Sequence, residues 1–116
     1  MKIDQLIKEL DCEVLHRCKE TGVKDLKHFV VSDLMSDVLL VDGEVDLLIT
    51  SLSTAQAMRT ADIVSAKGVI VVNGKAVTAD MKAAAKEFDM TLLKTKLSTF
   101  EVCGAIHRLK GPDDHR

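Results

Sequence analysis

Three stretches of this 116-residue chain hold residue types and spacings that could do chemistry. In "SDLMSD", Asp33 and Asp37 lie four positions apart, so on a helix their carboxylates would share a face and could hold Mg²⁺ or serve acid–base work. The plainer alternative has Asp33 capping the helix and Asp37 solvated. In "CEVLHRC", an extended strand would point Cys12, Val14, His16 and Cys18 to one side, offering two thiols and an imidazole to Zn²⁺ or to an oxidant. Same-face residues of a strand run along a line, however, and reach one metal only if the strand bends. A fourth ligand is not evident, and buried free cysteines are common. In "GVIVVNGK", a buried run stops on Asn73, Gly74 and Lys75, which reads either as an anion cradle or as a turn leaving the sheet. It lacks the spaced glycines of a Walker A loop, and Asn-Gly is a frequent turn dipeptide, so the turn is favoured.

These residues need elements to position them. "KIDQLIKEL" carries Ile3, Leu6, Ile7 and Leu10 at helical spacing, followed by a brief strand at "EVLH". A polar loop, "KETGVKDLK", leads to a strand at "HFVV" and a short helix at "SDLMSDVLL". After the turn "VDGEV" comes a strand, "DLLIT", and then a helix in "STAQAMRTADIVSAKG", with Ser53 or Thr54 to cap it and Gly68 to stop it. "VIVV" gives a strand, "TADMKAAAKEFD" a helix with Met81, Ala84, Ala85 and Phe88 on one face, and "TLLKT" another strand. The last helix is "STFEVCGAIHRLK", where Cys103 falls beside Phe100, Val102 and Ile106 and reads as core.

Strands apolar on both faces that alternate with helices predict an α/β fold of three layers, with a mostly parallel central sheet of about five strands. Residues 1–110 form a single domain in this reading, and the tail "GPDDHR", 111–116, is expected to be frayed. In such a sheet the strand ends that lead into helices gather along one edge, where helix N-termini present unpaired amides and ligands usually bind. That edge collects Ser32, Asp33, Thr50, Ser51, Ser53, Asn73, Gly74, Lys75, Thr95, Lys96 and Ser98. The ligand-binding candidates are Ser32, Asp33, Ser51, Ser53, Asn73, Gly74, Lys75 and Lys96. Ser98 and Glu101 have the spacing of a capping box and are read as structural.

Composition narrows the function. With a formal net charge of -2 and no Trp or Tyr, the chain lacks the electrostatic footprint and stacking platforms of a nucleic-acid binder. No apolar run approaches the length that spans a bilayer, and "MKIDQLIKEL" does not read as a secretory signal, so the expected location is cytoplasmic. Three cysteines argue for reduced thiols rather than a disulfide framework. Neither a Gly-x-Ser-x-Gly elbow nor a His-Glu-x-x-His motif occurs. No cofactor is implied and no enzyme is expected; a small metal-dependent enzyme using Asp33 and Asp37 stays open as an alternative.

The segments "VVSDLMSDVLL", "DLLITSLSTAQ", "GVIVVNGK" and "LLKTKLSTFEVCGAI", in that order, resemble the DRTGG domain from about Val14 to Leu109. "SDLMSDV" and "TKLSTFEV" carry most of the likeness. Where the name-giving Thr-Gly-Gly would fall, this chain has Val72-Asn73-Gly74, and "SLSTAQ" stands where the Asp-Arg pair would be. The resemblance implies a fold like the N-terminal domains of HPr kinase and of Mur ligases. DRTGG domains accompany CBS domains in regulated pyrophosphatases and occur in phosphotransacetylases. For this chain the resemblance implies a stand-alone, non-catalytic regulatory or sensor domain. It is expected to self-associate, most simply as a dimer, to act on a partner enzyme or kinase, and to take a small anionic ligand such as a nucleotide. A pure protein–protein interaction module is the alternative.

Overall fold

A computed structural model describes residues 1–19 and 25–110. In chain order the elements are α1 (Ile3–Glu9), β1 (Glu13–His16), β2 (Phe29–Val31), α2 (Met35–Val38), β3 (Leu47–Thr50), α3 (Ala55–Ile63), β4 (Gly68–Val71), α4 (Ala79–Phe88), β5 (Thr91–Lys94) and α5 (Thr99–Lys110). The expected frayed tail, 111–116, and part of the expected loop "KETGVKDLK" lie outside the described residues.

The five strands form one sheet in the order β1-β5-β4-β3-β2. From β2 to β5 each strand pairs in parallel with the next in sequence, so every crossover steps in the same direction across the sheet. Crossovers of one hand that all step one way must deposit their helices on one face. Accordingly Met35 and Val38 of α2, Ala57, Met58 and Ala61 of α3, and Met81, Ala84 and Ala85 of α4 share a core with Leu48, Val69, Val71 and Leu92. The opposite face needs its own cover, and the chain ends supply it. Ile3 and Leu6 of α1, with Val102, Ala105 and Ile106 of α5, pack on Leu47, Ile49, Ile70, Val72 and Leu93. Because β3 and β4 are covered on both faces, all their residues are buried, which is why "LLIT" and "VIVV" show no polar alternation. Strand β1 joins β5 antiparallel, with a register shift between Val14 and His16. No helix among the described residues is long and apolar enough to cross a membrane.

Two local expectations change. Gly68 does not stop α3; it opens β4, where a Cβ would lie 2.9 Å from Leu47 Cδ2 and 3.0 Å from the Thr91 carbonyl oxygen. The helix ends earlier, at Ile63, and is closed by Ser65, whose φ of 59° lets its amide reach the Asp62 carbonyl at 3.0 Å while the Ala66 amide reaches the Ala61 carbonyl at 2.9 Å. That is a Schellman closure with serine in the left-handed position usually held by glycine. Asp11 and Asp89, both at φ 49°, close α1 and α4 through the same pair of backbone bonds. Helix α2 is also shorter than "SDLMSDVLL", running only over Met35–Val38.

Candidate functional site

The carboxyl edge of the parallel strands is organised around Asp33. Strand β2 ends at Val31, and Ser32 makes a local turn in which its hydroxyl accepts from the Leu34 amide at 3.1 Å and donates to the Leu34 carbonyl at 3.2 Å. This turn swings Asp33 toward the end of β3. There one carboxylate oxygen accepts from the Ser51 amide at 2.7 Å and the Thr50 hydroxyl at 3.0 Å, and the other accepts from the Ser51 hydroxyl at 2.7 Å. The Ser51 amide and hydroxyl hold the carboxyl below the usual Asp range, against the opposing effect of burial; the Thr50 hydroxyl and the charge of nearby Lys75 add to the lowering.

Asp33 is therefore a structural acceptor joining two strand ends. Helix α2 starts at Met35, after Asp33, so the expected helical face shared by Asp33 and Asp37 does not form, and Asp33 does not cap the helix either. Asp37 stands exposed on α2. Among the described residues no group of three His, Cys, Asp or Glu side chains could hold a metal ion.

Asn73 and Gly74 leave β4 with φ of 66° and 63°, the left-handed pair that an Asn-Gly turn supplies at little cost. The Asn73 amide donates to the Leu97 carbonyl at 2.8 Å and the Gly74 amide to the Thr95 carbonyl at 3.0 Å. The turn is thus docked on the loop after β5, with Gly74 facing the Lys96 Cα, and these two amides are not presented to an anion. Lys96 lines a separate pocket with Leu10, Asp11, Glu13, Lys94, Thr95 and Leu97. Lys75 follows the turn and is close enough for its charge to act on Asp33. The Thr78 amide donates to the Ser53 carbonyl at 3.1 Å, which ties the loop carrying Lys75 to the start of α3. Ser32, Asp33, Ser51, Ser53 and Lys75 are brought to one region, while Asn73, Gly74 and Lys96 belong to the neighbouring turn.

Helix starts on this edge differ in how their amides are met. On α5 the Ser98 hydroxyl accepts from the Glu101 amide and the Glu101 carboxylate accepts from the Ser98 amide, both at 3.1 Å, the capping box expected from "STFE". On α4 the Thr78 hydroxyl accepts from the Met81 amide at 3.2 Å, and Asp80 sits in the first turn. Helix α3 is different: Thr54 occupies its N-cap position without a side-chain cap hydrogen bond, and its first turn holds no acidic residue. Among the described residues neither a side-chain cap nor a first-turn carboxylate meets the positive end of α3, where the Ala57 amide donates to the Thr54 carbonyl at 3.1 Å, a contrast that the residue types in "SLSTAQ" do not reveal.

The expected alignment of Cys12, His16 and Cys18 does not occur. The register shift in β1 parts them: Cys12 packs with the α1 and α5 core, whereas His16 and Cys18 turn to Asp89 at the end of α4. The His16 ring nitrogen lies 3.0 Å from Asp89 Oδ1, and the Cys18 thiol donates to Asp89 Oδ2 at 3.7 Å. The His16 hydrogen bond is the main reason the Asp89 carboxyl is held below its usual range. Burial, with the nearby Asp11 charge, pushes the Cys12 thiol up to about 11. The reading of Phe100 as a core neighbour of Cys103 also fails, for Phe100 is 86% exposed.

Three helices over and two under a sheet of four parallel strands and one antiparallel edge strand make this a DRTGG-like α/β domain in fold. Among solved structures it is similar to the CBS and DRTGG domains of the regulatory region of Clostridium perfringens pyrophosphatase, complexed with the activator diadenosine tetraphosphate. The TM-score is 0.74 at 18% sequence identity, over 90% of this chain and 45% of that one. The chain thus spans less than half the length of that solved chain. No protein-family pattern matches the sequence, and no curated protein matches it significantly.

Proposed function

We propose that this chain is a non-catalytic regulatory domain that takes a small anionic ligand, such as a nucleotide, at the carboxyl edge between the start of α3 and Lys75. The observation that carries the reading is the open end of α3. It is a nine-residue helix with no side-chain cap and no acid in its first turn, and a loop bearing Lys75 is tied to it through Ser53. The Ala57 amide is taken by the Thr54 carbonyl at 3.1 Å, but the helix dipole and the first two amides still favour negative charge at such an end, and a lysine nearby adds a mobile counter-charge. Asp33 lies close enough to feel that lysine and fixes the adjoining strand ends. The likeness in fold to a regulatory region solved with a nucleotide activator agrees with this reading. The domain would then report on the ligand to a partner enzyme, and two copies would associate.

The test is thermal denaturation with inorganic phosphate, adenine nucleotides and diadenosine tetraphosphate. A ligand at roughly 100 times its dissociation constant adds about 2.7 kcal/mol, which raises the Tm by several degrees. A rise that disappears in Lys75→Ala supports the site. Silence across the panel, with a cooperative unfolding transition as control, would sink it.

A further inference from the structure

The outer face of α5 has no explanation among the described residues. Phe100 is 86% exposed although it is one of only three aromatic residues in the protein. Four positions on, in the middle of a 12-residue helix, stands Gly104, exposed and with nothing within 4 Å of where a Cβ would be. Glycine weakens a helix interior, and neither a left-handed φ nor a close neighbour requires it here. At helical spacing Phe100, Gly104 and His107 or Arg108 lie on the same side, so the exposed aromatic and the missing side chain mark one surface. A glycine in that setting fits close approach by another backbone.

We propose that this face is the interface between two copies of the chain, with the α5 helices crossing antiparallel about a twofold axis at Gly104. The charges select that occupant. Glu101 lies in the first turn of α5, whereas His107, Arg108 and Lys110 lie in its last. Glu101 and Arg108 stand on either side of Gly104, and their midpoint lies half a residue from it. An axis there places Glu101 of each copy beside Arg108 of the other, while a parallel arrangement would set like charges together. Such a face is self-complementary, as an isologous contact requires, and the antiparallel crossing also opposes the helix dipoles. Arg108 reaches Glu9 through one guanidinium nitrogen at 3.4 Å and its side chain stays 69% exposed, so it can turn to a second carboxylate. Phe100 of each copy then falls level with the C-terminal half of the other α5. A groove of about 340 Å³ opens there between that helix and the edge strand, lined by Phe29, Val31, Ile49, Cys103 and His107 among others. Each copy supplies one exposed ring and one groove.

This surface deepens the self-association in the proposed function and is independent of the anion site. Light scattering across low to high micromolar protein should give twice the chain mass of 12.7 kDa. Gly104→Gln and Phe100→Glu should each return it to the monomer mass. Gly104→Gln, placed in open space on a helix, should melt no lower than the parent when both are monomeric, which separates loss of the interface from loss of the fold. A monomeric parent at 100 µM would overturn the interface and self-association together. A dimer retained by both variants would overturn this surface alone. In either case the nucleotide response in thermal denaturation still decides the anion site.

Discussion

Replacing one hydrogen by a methyl group at two glycines should shift stability in opposite directions, and the sign at each is set by what surrounds it. At Gly68, in the middle of the sheet, the new Cβ would meet Leu47 Cδ2 at 2.9 Å, the Thr91 carbonyl oxygen at 3.0 Å and Thr91 Cβ at 3.1 Å. Leu47 is fully buried, so its methyl has no empty space to enter, and the carbonyl belongs to the paired backbone of β5. Overpacking of this kind costs about 1–3 kcal/mol, against roughly 0.5–1 kcal/mol regained from the stiffer unfolded chain. Gly68→Ala should therefore lose about 1–2 kcal/mol, a fall in Tm of roughly 5–10 °C for a domain of this size. At Gly104 the same change meets nothing within 4 Å on an α-helix and should gain about 1 kcal/mol under monomeric conditions. The unfolded-state effect is common to both variants, so their difference isolates the contacts. Calorimetry or urea unfolding of both measures it. A Gly68→Ala variant as stable as the parent would refute the close packing of β4 between β3 and β5.

Asp33, Ser65 and Cys12 each offer a further test. Asp33→Ala should lower stability by roughly 1–3 kcal/mol at neutral pH, since it strips three hydrogen bonds from Thr50 and Ser51. Because the folded-state pKa of Asp33 lies below its unfolded value, this contribution is complete above the unfolded pKa and fades as the pH falls through the folded one. The parent and the variant should converge in strong acid, and a gap that widens there would contradict the assignment. Ser65→Gly, relieving a left-handed serine, should raise stability by about 1 kcal/mol in the same unfolding assay, and no gain would count against the α3 closure. With its thiol raised to about 11, Cys12 should react slowly with a disulfide reagent at pH 8, where about one thiol in a thousand is ionised; fast labelling would show that its burial is wrong.

What the sequence made legible was governed by periodicity and turn chemistry. All ten elements could be anticipated because the apolar pattern switches cleanly between continuous runs such as "VIVV" and helical spacing such as Met81, Ala84 and Ala85. The capping box of α5 was visible for the same reason, since Ser98 and Glu101 satisfy each other locally. The helix stops were less legible because Asp11, Ser65 and Asp89 occupy positions where glycine is the usual signal. At the candidate site the difficulty was of another kind. Asp33 looked like half of a helical carboxylate pair, but a tertiary contact with Ser51, 18 positions away, claimed it. The register shift in β1 likewise sent His16 and Cys18 to Asp89 and broke an alignment that ideal strand geometry had allowed.

The open end of α3 gives the anion reading its sharpest test. If the amides there wait for a ligand's negative charge, a carboxylate built into the chain should take the ligand's place. Thr54→Asp puts that group at the N-cap position, where Thr54 makes no side-chain cap bond. An aspartate cap is worth about 1 kcal/mol, with a further gain of about 0.3–1 kcal/mol from the helix dipole at low ionic strength. The unliganded variant should then melt several degrees above the parent, and its response to phosphate or nucleotide should disappear. Lys75→Ala should remove the response without the gain in stability, because Lys75 is exposed and supplies charge rather than closure. If Thr54→Asp is stabilised yet responds to the anion as the parent does, the helix end is open but the ligand lies elsewhere along the edge, beside Lys96. If it is neither stabilised nor unresponsive, the α3 amides already have partners in solution, and the proposed site falls.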